Sequence, residues 1–217
     1  MRVVVVASGE LARGDERWLV DANLVVAADG GADALDRIGR RPDLVVGDLD
    51  SADPDLVATD VAEGVRVERH PVDKEASDTE LAIEAAIAAG ATELVLLGAT
   101  GGARLDHELA NLLLLTDPAL AGRDLRLVAG ATVVRVVHGG GQLALGGDPG
   151  DLVTLLPVGG DAVGVSTEGL RWPLDRATLA MGRSRGLSNE VAISPAAVSL
   201  ERGALIVVET AREKSSP

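Results

Sequence analysis

Six short Val/Leu-rich runs, at residues 3–7, 24–28, 44–46, 65–68, 94–97 and 125–128, constrain the fold of this chain more than any other feature. Runs of that length and texture suit strands buried on both faces of a parallel sheet. Alanine-rich stretches with helix signals lie between them. Asp53-Pro54 reads as an N-cap followed by proline at the first helical position. Ser77 with Glu80 three residues on reads as a capping box, opening a helix that Gly90 stops. A further helix is expected over residues 105–116. Strand and helix in alternation predict an α/β domain over residues 1–125, with a mostly parallel, Rossmann-like sheet and flanking helices. After Gly130 the texture changes to short β-type segments between glycine turns at 139–141, 146–147, 150 and 159–160. That pattern predicts a smaller all-β sandwich domain over residues 126–217.

Composition narrows what such a chain can do. Of its 217 residues 47% are hydrophobic and the mean hydropathy is +0.22, which leaves ample apolar surface for a core. There is no Phe or Tyr, so aliphatic side chains must do the packing. Trp18 is assigned to the core, and Trp172, flanked by Arg171 and Pro173, is a candidate for contact with a flat ligand. A formal charge of -14 with no basic run argues against nucleic acid as a partner. The absence of cysteine removes disulfides, thiolate metal sites and cysteine nucleophiles. Residues 3–7 are too few for a secretory apolar region, and no apolar stretch approaches the roughly 20 residues needed to cross a bilayer. The expectation is a soluble, cytoplasmic protein without membrane contact.

Acidic residues recur where strands end or helices begin. Gly-Asp-Leu-Asp-Ser at 47–51, Ser-Asp-Thr-Glu at 77–80 and Gly-Gly-Ala-Arg-Leu-Asp-His at 101–107 all show it. Carboxylate oxygens are the ligands Mg²⁺ prefers, usually one or two of them with substrate phosphates and water. Two carboxylates at one strand end, Asp48 and Asp50, repel unless a cation lies between them. Asp78 in a first helical turn is favoured by the helix dipole whatever its function. In an open parallel sheet the loops beyond the strand carboxyl ends converge on a ligand crevice, and glycine lets backbone approach phosphate closely there. Neither the Walker spacing nor the full dinucleotide glycine fingerprint is present.

Six segments in order carry a family likeness. Ala-Asp-Gly-Gly at 28–31, Gly-Asp-Leu-Asp-Ser at 47–51, Asp-Lys-Glu-Ala-Ser-Asp-Thr-Glu at 73–80, Gly-Ala-Thr-Gly-Gly-Ala-Arg-Leu-Asp-His at 98–107, Gly-Leu-Arg-Trp-Pro-Leu at 169–174 and Leu-Ser-Asn-Glu at 187–190 together resemble thiamine pyrophosphokinases. The resemblance implies transfer of a pyrophosphoryl group from ATP to the hydroxyl of thiamine, with release of AMP. It also implies a homodimer with active sites between subunits. By this likeness Asp48, Asp50 and Asp78 hold Mg²⁺, and Asp106 supports the metal or orients the thiamine hydroxyl. Lys74, Arg104 and the amides of Gly30, Gly31, Gly101 and Gly102 would hold polyphosphate, with Asp29, Ser77 and His107 in the same nucleotide site. Trp172 would stack on a thiamine ring while Ser166, Ser188 and Asn189 bond the aminopyrimidine. The chain departs from the family pattern at Glu75 and Ser77, where Asp and Thr are usual, and at Ala103, an insertion before Arg104. Two alternatives remain at this level: a diphosphokinase for another hydroxymethyl heterocycle such as a pterin, and a non-catalytic module that binds nucleotide or thiamine diphosphate.

Overall fold

The computed structural model describes residues 1–50 and 52–212, so Ser51 of the second segment lies outside the described residues. The chain divides into two compact units, Met1–Gly130 and a second beginning at Ala131. In the first, β1 (Arg2–Val6), β2 (Leu24–Ala28), β3 (Leu44–Gly47), β4 (Arg66–Arg69), β5 (Glu93–Leu97) and β6 (Asp124–Ala129) pair in parallel, in the order β4-β3-β2-β1-β5-β6. The division falls after Gly130 and not after residue 125, because β6 completes this sheet by pairing with β5. Val3 to Val6, Val25 to Ala27 and Val95 to Leu97 are wholly buried, as unalternated aliphatic strands require. The exception is β4, where Arg66, Glu68 and Arg69 are exposed. It is an edge strand with one neighbour, and charged side chains there discourage further pairing.

Among the described residues four α-helices lie in the connections between strands: α1 (Gly31–Asp36), α2 (Pro54–Ala62), α3 (Asp78–Ala88) and α4 (Leu105–Leu114). The Asp53 carboxylate accepts from the Asp55 N–H to cap α2, and Ser77 Oγ accepts from the Glu80 N–H to cap α3. Gly90, at φ 93, stands just past the end of α3, in the left-handed conformation that closes helices. Among the described residues no helix is long and apolar enough to cross a membrane.

The second unit is antiparallel. It consists of β7 (Thr132–His138), β8 (Gln142–Leu145), β9 (Leu152–Glu168), β10 (Ala177–Leu179), β11 (Asn189–Glu190), β12 (Ala196–Ser199) and β13 (Arg202–Thr210). The first half of β9 pairs with β13, which pairs with β7; its second half pairs with β12 and β10, and β12 pairs with β8. The register between β9 and β13 shifts between Arg202 and Ala204, opposite Gly159 and Gly160. These glycines form no turn between strands: they bend one 17-residue strand from one set of partners to another. Val153, Leu155, Val165, Val191, Val198, Leu205 and Val207 form the core between them.

Gly31 illustrates how tightly the first unit closes at the strand ends. A Cβ at this position would stand 2.0 Å from the carbonyl oxygen of Val6, so β1 and α1 meet backbone to backbone. Close approach therefore accounts for this glycine independently of any phosphate. Gly31→Ala is expected to lower stability by about 1–3 kcal/mol, read as a lower urea midpoint with an unchanged slope; a wild-type midpoint would show that α1 can withdraw without loss.

Candidate active site

Three carboxylates meet beyond the carboxyl ends of neighbouring strands. Asp29 follows β2 at φ 48 and donates its N–H to the Val46 carbonyl at 2.9 Å; Asp48 follows β3; Asp78 opens α3, which packs on both strands. Ligand oxygens of the three lie within 4.8 Å of one another. Gly47, at φ 151, makes this possible, since a Cβ there would stand 2.8 Å from Asp78 Oδ1 and 3.1 Å from Asp29 Cβ. The donor set is all oxygen, partly buried, and anchored on rigid elements, which suits a small hard cation.

An ammonium group is already engaged with this cluster. Lys74 Nζ lies 2.6 Å from Asp48 Oδ2 and 3.0 Å from Asp78 Oδ1. Its hydrogen bond holds the Asp48 carboxyl below the usual carboxylate range. Burial pulls the Lys74 pKa down, and the bonds to Asp48 and Asp78 outweigh it, so the net shift is upward. Leu49 adopts φ 65, a conformation that costs an L residue roughly 1–2 kcal/mol. The resulting turn lets the Asp50 N–H donate to Asp48 Oδ1 at 3.2 Å.

The carboxylates open onto a cleft of about 660 Å³ whose walls include Ala7–Gly9 and Gly98–Thr100. Chain order reverses between β1 and β5, and ligands of doubly wound sheets bind at such a switch point. The two loops are tied by Ala7 N–H to Leu97 O at 2.9 Å and Gly9 N–H to Gly98 O at 2.8 Å. Asn111 on α4 is buried and donates from Nδ2 to the Ala99 carbonyl at 2.9 Å, fixing the helix against the second loop. At the mouth of the cleft Arg104 Nε bonds Asp106 Oδ1 at 2.9 Å within a two-pronged, solvent-exposed pair. The guanidinium holds the Asp106 carboxyl far below its ordinary range. His107 also lines the mouth.

In the second unit Trp172 is 54% exposed, with the Arg171 guanidinium 4.9 Å over its ring. Asn189 is buried and braces that loop: its Oδ1 accepts from the Trp172 N–H at 3.1 Å and its Nδ2 donates to the Trp172 carbonyl at 2.7 Å. Ser166 Oγ accepts from the Arg176 N–H at 3.0 Å. Ser188, at φ 56, is exposed and donates its N–H to Thr154 Oγ1 at 3.0 Å.

Residues 16–128 match the family model of the thiamin pyrophosphokinase catalytic domain, and residues 142–205 match that of the thiamin pyrophosphokinase vitamin B1 binding domain. The chain belongs to the thiamin pyrophosphokinase family. As a member it is an ATP-dependent pyrophosphotransferase, a thiamine diphosphokinase. Among solved structures it is similar to the thiamin pyrophosphokinase of Geobacillus thermodenitrificans, at 28% identity with a TM-score of 0.82, covering 100% of this chain and 99% of that one. The thiamine pyrophosphokinase of Bacillus subtilis shares the fold at 24% identity and a TM-score of 0.86, covering 98% of this chain and all of that one. That of Candida albicans shares it at 14% identity and a TM-score of 0.81, covering 96% and 88%. No curated protein matches the chain in sequence.

Within this thiamin pyrophosphokinase the sequence-level candidates fall into distinct places. Asp29, expected among the nucleotide contacts, joins Asp48 and Asp78 in the three-carboxylate group, while Asp50, expected as a metal ligand, lines the cleft outside that group. Asp106, Arg104, His107, Gly102 and Ser77 line the same cleft. The Gly101 N–H donates to Glu108 Oε1 at 2.9 Å, so this amide is engaged within its own loop and helix. Gly30 precedes α1, which begins with the close-packed Gly31. The side-chain amide of Asn189 bonds the Trp172 backbone on both sides and steadies the tryptophan. Trp18, assigned to the core, is half-buried between the guanidinium groups of Arg17 and Arg126, at 5.8 and 5.7 Å. Sequence reasoning missed Thr79 and Asn111, which line the cleft; only the placement of α3 and α4 reveals them.

The depressed pKa of Asp48 yields a prediction with a definite sign. Because its folded value lies below the ordinary 3.8, the stabilisation from Lys74 is present above that pH and lost as pH falls through the folded value. Lys74→Met is expected to flatten the fall of stability below about pH 4, measured by urea unfolding across the acid range; identical slopes in both proteins would remove Lys74 as the cause.

Proposed function

We propose that Asp29, Asp48 and Asp78 hold Mg²⁺ in this thiamine diphosphokinase, and that the cleft beside them takes the ATP polyphosphate. The convergence of these three carboxylates around the missing side chain of Gly47 carries the reading. When bound, the ion would offset negative charge on the polyphosphate oxygens, where pyrophosphoryl transfer requires it. The protein's own part is positioning and electrostatics. The linked loops after β1 and β5, tied to α4 through Asn111, keep the cleft walls fixed and give the polyphosphate a rigid seat. Arg104 would meet phosphate oxygens at the mouth, and Asp106 would orient the acceptor hydroxyl while holding that guanidinium in line. Trp172, exposed and braced by Asn189, would offer its indole face to the cationic thiamine ring, a contact worth roughly 0.5–2 kcal/mol. Asp50 would remain near the ion without being one of its protein ligands.

The same reading makes the protein a cytoplasmic homodimer with active sites between subunits. Leu105, Leu109 and Leu113 follow one another at successive turns of α4 and are 67, 52 and 53% exposed, and Met181, Leu187 and Ile193 are exposed on the second unit. A second copy would cover the exposed leucine face of α4. Sedimentation velocity is expected to give a dimer that Leu109→Glu dissociates; a wild-type monomer would remove the dimer from the proposal.

The catalytic test is Mg²⁺-dependent release of AMP from ATP with thiamine as acceptor. Asp48→Asn is expected to lose at least roughly a hundredfold in turnover with an unchanged circular dichroism spectrum. Full activity in that variant would contradict the metal role, and equal turnover with a hydroxymethylpterin would overturn the acceptor's specificity.

A further inference from the structure

Lys74 is placed unusually for a residue expected to meet substrate phosphate. Its ammonium touches Asp48 Oδ2 and Asp78 Oδ1, carboxylates of the very group proposed to hold Mg²⁺, and its side chain is only 13% exposed. Two carboxylates that converge on the ammonium cannot also turn the same oxygens on a divalent ion without bringing two cations into contact. The lysine can give way more readily than the carboxylates. Asp48 and Asp78 are fixed by a strand end and a helix start, whereas Lys74 lies between β4 and α3, outside both, on a flexible four-carbon stem.

We propose that Lys74 is the resident counter-ion of the carboxylate site, holding Asp48 and Asp78 together before a divalent ion arrives and displaced from them when it binds. This rests on the metal role given above to Asp29, Asp48 and Asp78. Its consequence is an order of events: the ammonium becomes available to an anionic ligand only after the ion has replaced it. A polyphosphate arriving without its metal meets a lysine already spoken for and a cluster with net negative charge. Lys74 is thus a positioning residue whose two partners succeed one another.

Mn²⁺ serves as the probe, its free concentration followed by electron paramagnetic resonance in titrations of the nucleotide-free full-length protein. Four variants are compared with wild type: Lys74→Met, Lys74→Gln, Lys74→Arg and Asp48→Asn. Removing the charge in Lys74→Met or Lys74→Gln is expected to tighten Mn²⁺ binding at least tenfold, Lys74→Arg to stay near wild type, and Asp48→Asn to abolish it. In chelator the two neutral variants should melt below wild type, and Mn²⁺ should raise their melting temperatures by more than it raises that of wild type. If they bind Mn²⁺ no more tightly than wild type at a site that Asp48→Asn destroys, Lys74 sits beside the ion and the proposal falls while the metal reading stands. Binding insensitive to Asp48→Asn, or none in any form, would overturn the metal reading and this proposal with it.

Discussion

Mutual repulsion among Asp29, Asp48 and Asp78 is the constraint on which the first unit turns. Unit charges at the separation of their oxygens, within 4.8 Å, repel by about 3–4 kcal/mol per pair at an effective dielectric near 20. A fold keeps such a cluster only where rigid elements impose it and a positive charge offsets it. Both conditions are met by local features. The parallel ladder fixes the ends of β2 and β3, the cap on α3 fixes Asp78, and Gly47 leaves the space that any other residue would fill. Lys74 supplies the offsetting charge.

Much of this was legible in the sequence, for reasons that differ from element to element. Buried parallel strands announce themselves because both faces demand aliphatic residues, and five of the six runs read that way are buried; β4, grouped with them over Val65 to Glu68, stands exposed at an edge, in keeping with the charged Arg66 and Glu68 that alternate with its valines. The caps at Asp53 and Ser77 are local chemistry between neighbours in sequence and needed no tertiary information. The length of β9 was hidden, since Gly159 and Gly160 read as a turn when the bend they permit continues a strand.

The carboxylate cluster was half visible. Asp48 and Asp50 lie two residues apart and look like a pair, but the left-handed turn at Leu49 sends the chain away after Asp48, and Asp50 ends outside the group. Asp29 carried the same signal as Asp48, an acidic residue directly after an aliphatic strand, and its membership follows from β2 and β3 being neighbours. Asn189 has a structural role that its sequence neighbourhood does not show. Beside Ser188 in a turn it resembles a ligand contact, whereas its amide partners are backbone groups of a residue 17 positions earlier, which no local pattern records.

The choice of lysine at position 74 follows from the same electrostatics. An arginine presents a rigid planar fork that matches both oxygens of a single carboxylate, as Arg104 shows with Asp106. A compact ammonium with three donors can satisfy two carboxylates that approach from different elements, and its flexible stem would let it withdraw without moving either of them. Arg104 is exposed and paired with Asp106 at the cleft mouth. Lys74 stands within the cluster itself, so its occupancy and that of the proposed divalent ion would be coupled by charge. On the proposed reading the site would gain a cation that it can release, on a scaffold whose strands and helix starts stay where they are.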